Sequence, residues 1–342
     1  MLAMNAVNKN KIIRFENPPQ VISFAAAVGK KEGEGPFAAY FDCVDTSPSP
    51  DGSWENEESS LQRRALHTAL KKGGFAPNDI DILYAGDLLN QSMSSTFGLR
   101  DFGIPFVGLF GACSTMALSL AMASVAVMSG AANTAAAVTS SHFCTAERQF
   151  RTPVDYGGQR TPSAQWTVCG SGAVILSAQR KVRQNGEIHI PDIMLGKIVD
   201  YGQKDANNMG AAMAPAAADT ISHYLRQSKT SPDDYDAIIT GDLGCVGSSL
   251  LYQLMKSDGV DISGVHKDCG MMIFDREKQD VHSGGSGCGC AASMLCGYFL
   301  NKIKSGEMKN ILFCATGALM STTSSQQGES IPGICHLVHI QG

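Results

Sequence analysis

Asn78-Asp79-Ile80-Asp81-Ile82-Leu83-Tyr84-Ala85-Gly86-Asp87-Leu88 recurs as Asp233-Asp234-Tyr235-Asp236-Ala237-Ile238-Ile239-Thr240-Gly241-Asp242-Leu243, displaced by 155 positions. The same displacement carries Pro77 onto Pro232 and Leu70 onto Leu225. Each copy reads as the end of a helix, a Pro turn, an acidic step, an apolar strand and Gly-Asp where the strand stops. A repeat this long is no solenoid unit. It predicts one α/β unit used twice, with halves at residues 1–180 and 181–342 and a site where the two meet.

The flanking sequence extends the pattern. An uncharged strand over 104–110 runs into Gly111-Ala112-Cys113, a helix is expected from Ser114 to Ser129 with Gly130 past its end, and a strand follows over 135–139. Ser129-Gly130 matches Ser305-Gly306 at a displacement of 176, which places 21 extra residues in the second half, assigned to 261–285 and containing His266. Residues 44–59 read as an exposed loop, with Ser59 or Ser60 capping a helix to Lys72 and Gly73-Gly74 ending it. A crowded polar insertion, 142–169, holds His142, Glu147, Arg148, Arg151, Asp155, Tyr156, Gln159 and Arg160. A strand returns over 169–176. In the second half, helices are expected over 211–226 and 291–304 and strands over 237–240 and 311–315. Strands alternating with helices predict mostly parallel sheets with helices on their faces.

Composition narrows the function classes. The chain has 342 residues, 44% hydrophobic and 17% charged, with a net charge of −5. That balance argues against nucleic acid, which selects basic surfaces. Eleven scattered cysteines fit free thiols in a reducing compartment, and no basic, apolar leader opens the chain. No Asp, Glu, Lys or Arg occurs from Phe102 to Ala146. The apolar run Met116–Met128 within it falls short of the roughly 20 residues a membrane span needs and predicts a helix buried in protein.

Cys113, where a strand turns into a helix, has nucleophile-elbow character: Gly111 permits the turn and helix N–H groups would lower the thiol's pKa. A small buried cysteine would read the same way. Asp87 and Asp242 end equivalent strands and read as acids bonding loop N–H groups. Asn90 and Gln91 follow on the loop, and Arg148, Arg151 and Arg160 are the nearest cations, suited to a carboxylate ligand. The run Gly284–Gly289 occupies the second-half elbow position and reads as close packing. Cys288-x-Cys290 lacks zinc-site spacing, so neither metal nor cofactor is expected.

The doubled halves, Gly111-Ala112-Cys113-Ser114 and Gly170-Ser171-Gly172-Ala173-Val174 together resemble the thiolase superfamily, which includes the ketoacyl synthases and chalcone synthase. The strings Ala85-Gly86-Asp87-Leu88-Leu89-Asn90-Gln91, Leu109-Phe110-Gly111-Ala112-Cys113-Ser114-Thr115, Thr145-Ala146-Glu147-Arg148-Gln149-Phe150-Arg151 and Met213-Ala214-Pro215-Ala216-Ala217-Ala218-Asp219-Thr220 resemble, more closely, the stage V sporulation protein AD family of endospore-forming bacteria. This resemblance implies a duplicated five-layer αβαβα fold. It implies a sporulation protein that binds dipicolinic acid (pyridine-2,6-dicarboxylate), alone or with calcium, and supports its uptake into the forespore. Implied partners are membrane proteins of the same operon and a second copy in a homodimer. Implied locations are the cytoplasm or the periphery of the forespore inner membrane. Cys113 falls on the synthase nucleophile and His266 resembles the synthase histidine, whereas Cys288 stands where the synthases carry Asn. A thiol replaces an amide poorly, so binding is favoured, and a ketoacyl-synthase-type acyltransferase is the alternative. The ligand set expected on this basis is Cys113, His266, Arg148, Asn90 and His142.

Overall fold

A computed structural model describes residues 11–46, 53–150, 160–178 and 187–342. Arg151, Asp155, Tyr156 and Gln159 of the polar insertion lie outside the described residues.

The repeat is reproduced strand for strand. In the first half the sheet order is Phe106–Gly108, Ile82–Gly86, Thr134–Ser141, Gly170–Ser177, Gln20–Gly29. In the second it is His266–Asp268, Ala237–Thr240, Asn310–Ala318, Gly333–Gln341, Ile188–Met194. In both, the first two pairings are parallel and the last two antiparallel. The sheets join where Gln20 and Val21 pair with His189 and Ile188. The displacements hold at the level of register. Leu83 lies opposite Ala136, and Ile238, 155 positions after Leu83, lies opposite Leu312, 176 positions after Ala136.

Register also corrects the insertion. Leu83 faces Phe106 and Ile238 faces His266, so His266 is the counterpart of Phe106 at a displacement of 160. Only five of the extra residues precede that strand. His266 therefore belongs to the repeat itself and not to the segment that interrupts it.

Helices complete the layers. Thr115–Met128 touches strands of both sheets and is almost wholly buried. An uncharged helix with no polar side is what a central layer requires. Its Ser124 Oγ is satisfied internally, donating to the Leu120 carbonyl at 2.7 Å. Cys288–Met294 lies against the first sheet in the same layer. Trp54–Gly73 covers the outer face of the first sheet and Met209–Ser228 that of the second. No described helix is long and apolar enough to cross a membrane.

The start of Trp54–Gly73 departs from expectation. Ser53 caps it, accepting from the Asn56 amide, and Glu55 and Glu57 sit in the first turn, where the helix dipole favours acids. Ser59 is a buried mid-helix residue whose hydroxyl donates to the Ser94 carbonyl at 3.1 Å. Part of the expected polar insertion is likewise ordered, as the helix Phe143–Phe150.

Candidate functional site

The elbow is built from its own side chains. Ala112 takes the left-handed conformation, φ 49°, which an L-residue adopts only when the surroundings enforce it. Ser114 Oγ donates to the Gly111 carbonyl and Thr115 Oγ1 to the Ala112 carbonyl, each at 2.6 Å, while Thr115 Oγ1 accepts from the Gly111 amide at 3.1 Å. Gly111 is needed for space: a Cβ there would meet Ser114 Oγ at 2.9 Å. The second half presses on the same turn. A Cβ on Gly317 would stand 2.5 Å from the Gly111 carbonyl oxygen.

The sulfur's surroundings are acidic. The Cys113 thiol lies beside the Asp242 carboxyl, with Cys288 nearby. Burial pushes the thiol well above its ordinary range. The Asp242 and Cys288 charges push the same way, and the Gly287 N–H opposes them. The expected lowering by the helix N-terminus is therefore overturned. The amides of Ser114 and Thr115 already donate to the Gly111 and Ala112 carbonyls, and a carboxyl sits where a cation would be needed.

Asp242 accepts from the Gly287 amide at 2.8 Å and from Thr316 Oγ1 at 2.9 Å, and burial raises its pKa to about 7. Its repeat partner Asp87 accepts from the Leu89 and Ser95 amides, each at 2.8 Å, and from Ser95 Oγ at 2.6 Å. Both acids bond loop N–H groups; Asp242 also faces the thiol. Beside Asp87 lies Glu58, which accepts from Ser140 Oγ at 2.9 Å and Thr145 Oγ1 at 2.7 Å. Burial, then the Asp87 charge, raises Glu58 to about 8. Among the described residues no cation hydrogen-bonds Glu58 or Asp87, so the cluster must hold protons to be stable.

Above Cys113 is a narrow cavity of about 30 Å³. Leu88, Phe110 and Phe150 wall it from the first half, and Met209, Ala318 and Met320 from the second. Thr167 and Ser286 supply its hydroxyls; among the described residues its wall holds no Lys, Arg or His.

The expected ligand set is not brought together. Only Cys113 lines this cavity. Arg148 and Asn90 border a separate one of about 480 Å³, where Arg148 pairs with Glu55 and lies 5.5 Å from the Trp54 ring centroid. Asn90 is tied to Gln149, which accepts from its amide at 3.2 Å and donates to its Oδ1 at 3.1 Å. His142 lines a third cavity of about 500 Å³, with Nε2 3.1 Å from Glu57. His266 is held at the sheet edge, Nε2 2.8 Å from Thr240 Oγ1 and Nδ1 2.8 Å from the Tyr252 hydroxyl. Burial lowers its pKa to about 4, so it is neutral. It is not the partner of Cys113; Asp242 occupies that place.

Cys288 donates to the Ser140 carbonyl at 2.9 Å, and Cys290 points to the Gly241 carbonyl at 3.6 Å. The two thiols diverge, and among the described residues no His, Cys, Asp and Glu cluster could hold a metal. The site thus offers a protonated thiol, a half-protonated acid and apolar walls. Among the described residues no imidazole and no side-chain amide lines it.

The family model described as stage V sporulation protein AD matches residues 9–341. Stage V sporulation protein AD of Bacillus subtilis (strain 168) is 44% identical over 323 residues, 94% of each chain. Among solved structures, 3-oxoacyl-[acyl-carrier-protein] synthase III from Aquifex aeolicus VF5 superposes with a TM-score of 0.59 at 13% identity, over 95% of this chain and 100% of that one. Cerulenin-bound OleA of Xanthomonas campestris gives 0.60 at 12% identity, over 96% and 98%. At such identities the likeness is one of fold alone, the thiolase-like fold.

Proposed function

We infer the function from one premise: the chain belongs to the stage V sporulation protein AD family. The reading that best joins this premise to the site is a sporulation protein that binds dipicolinate in the cleft over Cys113 and makes no carbon–carbon bonds. The observation that carries it is the pairing of Cys113 with Asp242. A sulfur held as thiol by an adjacent carboxyl is a poor nucleophile and a serviceable hydrogen-bond donor.

The cleft's chemistry bears on the form of the ligand. Phe110 and Phe150 offer flat apolar surfaces to a pyridine ring. A cation-free wall with Asp242 beneath it disfavours a free dianion, so calcium accompanies the diacid and cancels its charge. Room is made by Phe110, half exposed, and by Met209 and Met320, whose unbranched chains re-pack readily. Membrane proteins of the same operon then carry the ligand across the forespore membrane, this chain serving as the peripheral binding component. A second copy docks on the exposed edge strand Phe106–Gly108.

Titration calorimetry with dipicolinate and equimolar calcium tests the reading. Heat is expected from the wild type, and about tenfold weaker binding from Cys113→Ala or Ala318→Leu, which respectively remove the thiol and fill the cleft. Silence at millimolar ligand overturns it. So does a stable acyl adduct on Cys113 after incubation with acyl-CoA, which would make the chain a synthase-type acyltransferase.

A further inference from the structure

The 500 Å³ cavity that holds His142 has what the Cys113 cleft lacks. It lies between the end of strand Gln20–Gly29, the first turns of Trp54–Gly73 and the start of Phe143–Phe150. Its walls are aromatic. The Trp166 ring stacks on Phe143 with centroids 3.7 Å apart and planes 9° from parallel, and Trp54 stands in the same wall. It carries cations: Lys30 and Lys31 both line it, and Lys31 Nζ is 4.0 Å from the Trp166 centroid.

Two buried polar atoms in this wall have no partner, and such atoms are costly unless something fills the need. One is Glu32 Oε2. Its residue is wholly buried, and its Oε1 accepts from the Cys169 amide at 3.0 Å. The other is His142 Nδ1, on a ring whose Nε2 faces Glu57. Gly29 lines the cavity beside the first: a Cβ there would approach Glu32 Oε2 to 2.9 Å. The remaining acids of the wall are already engaged, Asp45 with Arg64 and Glu57 with His142. Burial raises Glu32 to about 7, so below that pH it is a carboxylic acid with a hydroxyl to donate.

We propose that this cavity is a second binding site, for a calcium-free planar aromatic carboxylate, with the ring against Trp54 and a carboxylate received by Glu32 and by Lys31, which lies over Trp166. Acid-to-carboxylate hydrogen bonds are short and strong, and the lysine balances the charge. His142 Nδ1 takes the ring's other polar substituent. The inference rests on the dipicolinate reading and assigns the free dianion to this site, leaving the neutral calcium complex to the cleft.

The chain's two tryptophans, Trp54 and Trp166, both line this cavity, so intrinsic fluorescence reports it directly. Dipicolinate is added to the full chain with a calcium chelator present and fluorescence excited at the red edge of the indole band. Saturable quenching is expected, weakened about tenfold or more by Lys31→Ala and by Glu32→Gln and unchanged by Cys113→Ala. Lys31 is partly exposed, so its variant tests the site without disturbing the core. If the calcium complex binds by calorimetry while calcium-free dipicolinate leaves the tryptophans unaltered at millimolar concentration, this inference fails and the cleft reading stands. If neither form binds, both fall.

Discussion

The thiol of Cys113, from the first half of the chain, stands beside the carboxyl of Asp242, from the second. A nucleophilic cysteine is made by surrounding sulfur with positive charge. Here an acid and a second thiol stand beside it, so the geometry that exposes a sulfur at an elbow has been kept without the electrostatics that activate it.

Cys113 should therefore resist alkylation. In wild-type protein at pH 7.5, iodoacetamide should label the half-buried thiols Cys43, Cys144 and Cys245 before Cys113. Asp242→Asn removes the adjacent negative charge and should raise Cys113 labelling about tenfold. Peptide mass mapping over time checks this; rapid wild-type labelling of Cys113 would contradict the account.

Stability should fall as pH rises. Glu32, Glu58 and Asp242 have folded pKa values raised to about 7, 8 and 7. Between the ordinary carboxylate range and these values the folded chain binds more protons than the unfolded one. Their contribution is thus full below about pH 4 and is lost as pH climbs through 7 to 8. Urea titrations from pH 5 to 9 should show the midpoint drifting down.

Glu58→Gln should flatten that drift. A neutral amide keeps one acceptor oxygen for Ser140 and offers an N–H to Thr145, whose hydroxyl can turn to the His142 carbonyl, and it has no charge to bury. At pH 8.5 we expect it to gain on the order of 1–3 kcal/mol over wild type, and at pH 5 to be neutral or slightly worse. The same gain at both pH values would show that the effect is packing.

Gly317→Ala tests the contact between halves. Its Cβ would sit 2.5 Å from the Gly111 carbonyl, backbone that cannot swing aside. A loss of about 2–3 kcal/mol is expected, with altered Cys113 labelling. Gly306→Ala, in open space at φ 78°, is the control and should cost about 1 kcal/mol.

The edge strand Phe106–Gly108 exposes Phe106 and Val107 beside an unpaired row of backbone groups. Such edges invite another strand. If a second copy provides it, Val107→Lys should convert a dimer to a monomer in light scattering at micromolar concentration, and Ile198→Lys, on a different exposed loop, should not.

Much of this was legible in the chain because duplication writes the same backbone twice. The displacement from Leu83 to Ile238 is also a displacement between sheet positions, so the repeat carried the strand order of one half over to the other. The Cys113 turn was legible because an uncharged strand, small residues and a helix start adjoin. What escaped was contact across the sheets. Asp242 is displaced from Asp87 by the same 155 residues as its neighbours, and nothing in the string says that one of the pair will face a sulfur. Arg148 reads as available in the sequence because its partner Glu55 lies in a stretch that reads as loop; the helix beginning at Trp54 turns that acid towards it. The position of His266 is not legible because two displacements bracket an interval without dividing it. Only strand register shows that five of the added residues come before it.

The Gly317–Gly111 approach also bears on how such a molecule can change over time. Sulfur, acid and the glycine braced against the turn belong to different copies of one ancestral unit. Neither copy can drift, be swapped for a cousin's or be produced by itself without altering the crevice. Two modules that began as interchangeable have become obligate halves of a single crevice.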